Sequence, residues 1–167
     1  MAVKTSLRDY QRDLAERLKS AGAGRSASKL GVQVGGEAWL VDLTEAGEVI
    51  PVPAIAPVPL TRPWFKGMAN IRGKLYSVVD FPAFLGRAPV TVGDQSRLLL
   101  VGERFRLAAA LLIDRSLGLR NPAQLRPRGG EIAQWARAEY ADNDGKEWKE
   151  LDLPDLVQHP DFLSVGL

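Results

Sequence analysis

Residues 64–86 read Trp64-Phe65-Lys66-Gly67-Met68-Ala69-Asn70-Ile71-Arg72-Gly73-Lys74-Leu75-Tyr76-Ser77-Val78-Val79-Asp80-Phe81-Pro82-Ala83-Phe84-Leu85-Gly86. The punctuation of this stretch decides the fold. Arg72-Gly73 ahead of a β-rich run predicts a tight turn into a strand, with Gly73 free to take positive φ. Leu75 to Val79 alternates imperfectly before Asp80, the pattern of a largely buried strand. Phe81 to Leu85 reads as one helical turn with Gly86 at its C-terminal end. Gly67 and Gly73 punctuate the stretch, and Asn70, Arg72 and Asp80 are its most specified polar residues.

On both sides, short strands and Gly/Pro turns continue. Gly31 to Val34 alternates, Gly35-Gly36 marks a two-residue hairpin turn, and Glu37 to Leu43 answers as the second strand. Glu45 to Glu48 reads as a polar break around Gly47. Val49 to Leu60 carries prolines at 51, 53, 57 and 59, which restricts it to an edge strand or an extended loop. Arg97 to Glu103 and Arg106 to Asp114 form a second apolar hairpin turning at Arg104-Phe105. Arg115 to Arg120 continues as strand after a bend, and 121–130 is loop-like. Trp135 to Ala141 and Lys146 to Asp152 pair across Asp142-Asn143-Asp144-Gly145. Asp152 caps a terminal helix with Pro154 in its first turn, and Pro160 breaks it. Many short strands with few long helices argue an all-β fold, in barrels. Two apolar hairpin sets, each followed by a short helix, suggest two sub-barrels.

Upstream, residues 6–20 predict an amphipathic helix. Leu7, Tyr10, Leu14, Ala15 and Leu18 share one face, which suits packing on the domain or docking a partner. Residues 21–29 are small and flexible, a linker. The division is therefore 1–29, helix and linker, and 30–167, one domain.

The 167 residues include no cysteine, which removes disulfides, thiol catalysis and Cys-type zinc sites. Net charge is +2, 22 cations against 20 anions, without a dense basic run. No apolar run approaches the ~20 residues of a membrane span, and the first residues lack a signal-like apolar region, so a soluble cytoplasmic protein is the default expectation. An enzyme would need groups the pattern does not supply. His159 is the sole histidine, and Gly-x-Ser-x-Gly, His-Glu-x-x-His and phosphate-loop motifs are absent. Asp142 to Gly145 matches the start of a calcium loop, but Leu153 stands where the twelfth-position Glu belongs, so a hairpin turn explains it better. Neither metal nor cofactor is expected. A small nucleic-acid-binding barrel is a rival reading, with Trp39, Trp64, Phe65, Trp135 and Trp148 as its aromatic platform.

The ordered set Gly67, Asn70-Ile71-Arg72-Gly73 and Val78-Val79-Asp80 resembles the CheW-like domain, the adaptor of bacterial chemosensory arrays. Matching segments lie on both sides: Trp39-x-Val41-Asp42-Leu43 with Glu48-Val49, Leu111-Leu112-Ile113-Asp114, and Leu151-Asp152-Leu153. Asp114 to Arg120 and His159 to Val165 are similar to the subtype serving type IV pilus twitching motility. A flagellar chemotaxis adaptor is the alternative. The proline-rich 51–59 loop and the N-terminal helix depart from the common pattern.

The resemblance implies two interlocked five-stranded SH3-like β-barrels sharing a core, and a scaffold that catalyses nothing. It implies two partners: a chemoreceptor's cytoplasmic hairpin tip, held in an apolar groove between the sub-barrels, and the CheW-like regulatory domain of a histidine kinase. It also implies recruitment from the cytoplasm to membrane-associated arrays. Glu48, Gly67, Asn70, Arg72 and Gly73 are the candidate receptor-binding residues. Arg72 has two readings: its guanidinium contacts the partner, or it tethers its own turn and shapes the groove. Asn70 suits bonding its own turn, and Gly67 and Gly73 suit backbone requirements. Asp80 and Asp114 are the expected turn or cap residues.

Overall fold

The computed structural model describes residues 11–12 and 28–167. Of the expected N-terminal helix only residues 11–12 are described, and they are helical; the rest of it and most of the linker lie outside the described residues. Lys29, assigned to the linker, already belongs to the first strand.

Among the described residues, eleven strands form two mixed sheets. The first sheet takes strands from both flanks of the chain: β1 (Lys29–Val34), β2 (Glu37–Asp42), β8 (Arg115–Arg120), β9 (Arg126–Pro127), β10 (Ala136–Ala141) and β11 (Glu147–Leu151). Its order is β8-β1-β2-β11-β10-β9. The second sheet comes whole from the middle: β3 (Ala46–Pro51), β4 (Phe65–Ile71), β5 (Lys74–Asp80), β6 (Arg97–Val101) and β7 (Ala109–Ile113), in the order β3-β6-β7-β5-β4. One sub-barrel, from a contiguous middle stretch, is thus inserted into the other, whose strands come from both flanks of the chain.

Each sheet closes through one bent segment. After β3 the proline-rich run crosses to the opposite edge, where Ala56 and Met68 exchange two backbone hydrogen bonds of 2.8 and 2.9 Å. The prolines leave that run without a continuous ladder, and a single bridge suffices to join its far end. In the first sheet, β8 pairs with β1, turns through a 3₁₀ turn at Pro122–Gln124, and returns as the two-residue β9 against β10. Counting β8 and β9 as one bent strand gives the expected five per sub-barrel. The segment 121–130, expected as loop, therefore holds the last link of this closure.

Strand alternation sorts the core into three parts. Leu99 and Val101 of β6 join Ala109, Leu111 and Ile113 of β7, Val32 and Val34 of β1 and Trp39 of β2 in the cluster shared by both sheets. Leu98, Leu100, Ala110 and Leu112 face the interior of the second sub-barrel, while Ala38, Leu40 and Trp148 fill the first. Residues 109–113 are consequently buried on both faces, and the uninterrupted run Ala-Ala-Leu-Leu-Ile reflects that. Of the five aromatics of the rival nucleic-acid platform, Trp39, Phe65, Trp135 and Trp148 are buried and only Trp64 is half-buried, so they do not form an exposed stacking surface.

Several boundaries differ from expectation. The polar break at 45–48 is the start of β3, with a bulge between Ala46 and Val49 that absorbs Gly47. Leu75 is exposed and β5 becomes buried only from Val78, so the strand is covered at one end rather than along its length. The turn at 104–105 is a 3₁₀ turn, Glu103–Phe105, and its return strand starts at Ala109. Within residues 28–167, three short helices follow strands: α1 (Phe81–Phe84), α2 (Leu153–Gln158) and α3 (Pro160–Leu163). Pro160 ends α2 by opening α3, where its missing N–H costs nothing. Among the described residues, no helix is long and apolar enough to cross a membrane.

Candidate functional site

Four of the five candidate receptor-binding residues converge at one end of the second sub-barrel. Ile71 pairs with Lys74, leaving Arg72 and Gly73 as the two-residue loop of the β4–β5 hairpin, with φ of +53° and +85°. A mirror-image turn of this kind matches the twist of the strands and needs both residues left-handed. The Asn70 Oδ1 accepts from the Gly73 amide at 2.9 Å, closing the loop from inside its own hairpin. Glu48 arrives from β3, across the barrel mouth. Its carboxylate accepts from both terminal nitrogens of Arg72, at 2.6 and 2.9 Å. This fork-to-fork geometry is the strongest form of the pair.

The pair is nonetheless in water: the Arg72 side chain is 72% exposed and that of Glu48 42%. The hydrogen bonds from Arg72 hold the Glu48 carboxyl below its ordinary value, and Glu48 in turn raises the Arg72 guanidinium. Beside them opens a cleft of about 380 Å³, lined also by Lys74, Tyr76, Leu100 and Glu103. Lys74 lies over the Tyr76 ring, 5.5 Å from its centroid. The rim thus offers an aromatic face, an aliphatic patch and charges of both signs.

Gly67 stands apart from this cluster. It lies where the proline-rich run crosses β4, with φ of +135°. A Cβ there would fall on the Ala56 carbonyl, 2.7 Å from its carbon and 2.9 Å from the Pro57 Cα. Its place in the fold is therefore barrel closure.

Asp80 is fully buried at the end of β5. Its Oδ1 accepts from the Ala83 amide at 3.0 Å, capping α1, and its Oδ2 accepts from the Val90 amide at 2.9 Å, fastening the connector beyond Gly86. Asp114 follows β7 at the corner between sub-barrels. Its Oδ2 accepts from the Gly35 amide at 2.6 Å, tying the second sheet's last strand to the β1–β2 hairpin of the first.

Two features of the junction carried no local signal in the sequence. One is an ion network: Lys29 contacts Asp42 at 3.0 Å and Glu150 at 3.1 Å, while Arg137 contacts Glu45 at 2.7 Å and Asp152 at 3.5 Å. Burial pushes the Asp42 carboxyl up, but hydrogen bonds from the Thr44 hydroxyl and amide and from Lys29 outweigh it, leaving it at about 2. The other is a cleft of about 340 Å³ between the sub-barrels, lined by Arg62, Trp64, Phe84, Trp135 and Asp161 among others. None of Glu48, Gly67, Asn70, Arg72 and Gly73 lines it. The expected groove between sub-barrels and the candidate residues are thus at separate places.

Two small barrels, interlocked through one core and presenting a mixed apolar and charged rim, define an interaction domain. The chain belongs to the CheW-like domain family, whose model matches residues 29–161. As a member of that family it is a scaffold of chemotaxis-type signalling and not an enzyme. It is 27% identical over 169 residues to Protein PilI of Pseudomonas aeruginosa, with 93% of each chain covered. The crystal structure of the scaffolding protein TtCheW from Thermoanaerobacter tengcongensis matches it with a TM-score of 0.67 at 19% identity, over 81% of this chain and 95% of that one, a likeness of fold.

Proposed function

We propose that this chain couples the cytoplasmic hairpin tip of a chemoreceptor to the regulatory domain of a histidine kinase, within a system controlling type IV pilus twitching motility. The observation that carries the reading is Arg72. A bulky side chain at a left-handed position costs backbone energy, and here it presents a fixed fork at an exposed rim. Two of its five N–H donors serve Glu48, so others are free to meet carbonyls or a carboxylate at a helix tip. Glu48, Asn70 and Gly73 act with it, the first as its partner and the other two by shaping the turn. The likeness to PilI supports the pilus system over a flagellar one. Recruitment to a membrane-associated array would follow from these contacts.

The test is calorimetric titration of the full chain against a purified receptor hairpin-tip fragment and, separately, the kinase regulatory domain. Binding to both, at surfaces that do not compete, is the expected result. Arg72→Asp, which sets a carboxylate against Glu48, is expected to weaken receptor binding at least tenfold while the protein still melts cooperatively. Absence of binding to either folded partner would overturn the coupling function. Loss of cooperative melting in Arg72→Asp would instead assign Arg72 to groove shape.

A further inference from the structure

His159 is the chain's sole histidine, and it performs a task that depends on its protonation state. It is the N-cap of α3, and its Nδ1 accepts from the Asp161 amide at 3.1 Å. Only an unprotonated Nδ1 has the lone pair for this. The Asp161 Oδ2 stands 3.7 Å from the same nitrogen, as a second partner for a ring that carries a proton there. The imidazole packs edge-on to Trp135, centroids 4.6 Å apart, and Trp135 is itself held at φ of +72°, a genuine outlier for a bulky residue. Asp161 is the charged group in contact with the ring; it lines the junction cleft together with Arg62, and Asp155 lies one turn earlier in sequence on α2.

Downstream of this cap, the chain fastens one sub-barrel to the other. The Val165 carbonyl accepts from the Arg62 amide at 2.8 Å, the Ser164 carbonyl from the Arg62 Nε at 3.0 Å, and the Leu167 amide donates to the Leu60 carbonyl at 3.1 Å. Thr61 and Gly166 form a β-bridge between these bonds. Residues 60–62 lead directly into β4, so α3 carries a backbone clasp from the first sub-barrel to the second.

We propose that His159 is a proton-operated release for this clasp. Protonation at Nδ1 removes the acceptor that caps α3 and turns the ring toward the Asp161 carboxylate. The first turn of α3 loosens, and with it the 164–167 segment that holds residues 60–62. The junction between sub-barrels therefore becomes more open when the ring takes up a proton. The device does not depend on which partner the scaffold binds.

Amide hydrogen exchange on the full chain tests it, read at the Arg62 and Leu167 amides and normalised to intrinsic exchange at each pH. Protection at both is expected to fall several-fold between about pH 7.5 and about pH 5.5. In His159→Asn, whose side-chain oxygen caps at any pH, protection should stay level. Asp161→Asn keeps the cap but removes the negative charge that draws the protonated ring away from it, so the fall in protection should be smaller. Trp135 fluorescence and the His159 ring resonances report separately whether the ring titrates. A titrating ring with unchanged protection would overturn the proposal, as would the same fall in His159→Asn.

Discussion

Gly67 and Arg72 sit on or just beyond one strand, β4, five residues apart, within one short motif and both at positive φ. Their reasons are opposite. At Gly67 the space is gone: the backbone of Ala56 and Pro57 occupies the position of any Cβ. At Arg72 the turn is at the surface, and the neighbouring Gly73 has nothing within 4 Å of where its Cβ would be. Sterics demand glycine at the first site, whereas at the second only the backbone preference speaks, and it speaks against arginine. A side chain retained against that preference points to its own chemistry. Conformation alone does not separate a structural position from a working one; conformation together with the surrounding space does.

The largest effect expected from breaking this contrast is at Gly67. Gly67→Ala places a methyl against backbone rather than against a side chain that could swing aside, and adds an unfavourable φ. Overpacking and strain together predict a loss of about 3–5 kcal/mol. For a chain of this size that is a fall in Tm of roughly 10 °C or more. A thermal melt within a degree or two of wild type would refute the closure role. Arg72→Gly should go the other way. It relieves the left-handed strain and is expected to change stability by no more than about 1 kcal/mol, toward greater stability, since the exposed pair it removes is worth little. Receptor binding should fall all the same. A variant destabilised by 2 kcal/mol or more in denaturant titration would mean that Arg72 holds the turn.

The strands, turns and caps near Gly35-Gly36, Asp142 to Gly145 and Asp152 were legible because each is set within a few residues. So was the division into two sub-barrels, from two apolar hairpin sets each followed by a short helix, whereas their interlocked five-stranded form came from the family resemblance. What sequence could not show was pairing across the chain. Glu48 and Arg72 are 24 residues apart, Glu45 and Arg137 are 92, and no local pattern joins the members of either pair. The bent closures were hidden for the same reason: Ala56 meets Met68 by a single bridge, and β9 is two residues long. A groove between the sub-barrels was expected from the resemblance, but its lining was hidden because Arg62, Trp135 and Asp161 come from three separate segments.

The smallest expected effect concerns the charge state of the Glu48–Arg72 pair. Glu48 is held below its ordinary value, so any stability the pair adds is present above the unfolded value of about 4.3 and lost as pH falls through the depressed folded one. At neutral pH the carboxylate is fully charged, and receptor affinity should not change between about pH 7.5 and pH 5.5 on its account. The site itself can be followed by carboxyl NMR. Glu48 should titrate below the ordinary value in wild type and return toward it in Arg72→Gly, because Arg72 supplies the largest influence on that carboxyl. An unchanged Glu48 titration in that variant would mean the two side chains do not spend their time together in water. Arg72 would then be free to meet a partner without first releasing Glu48.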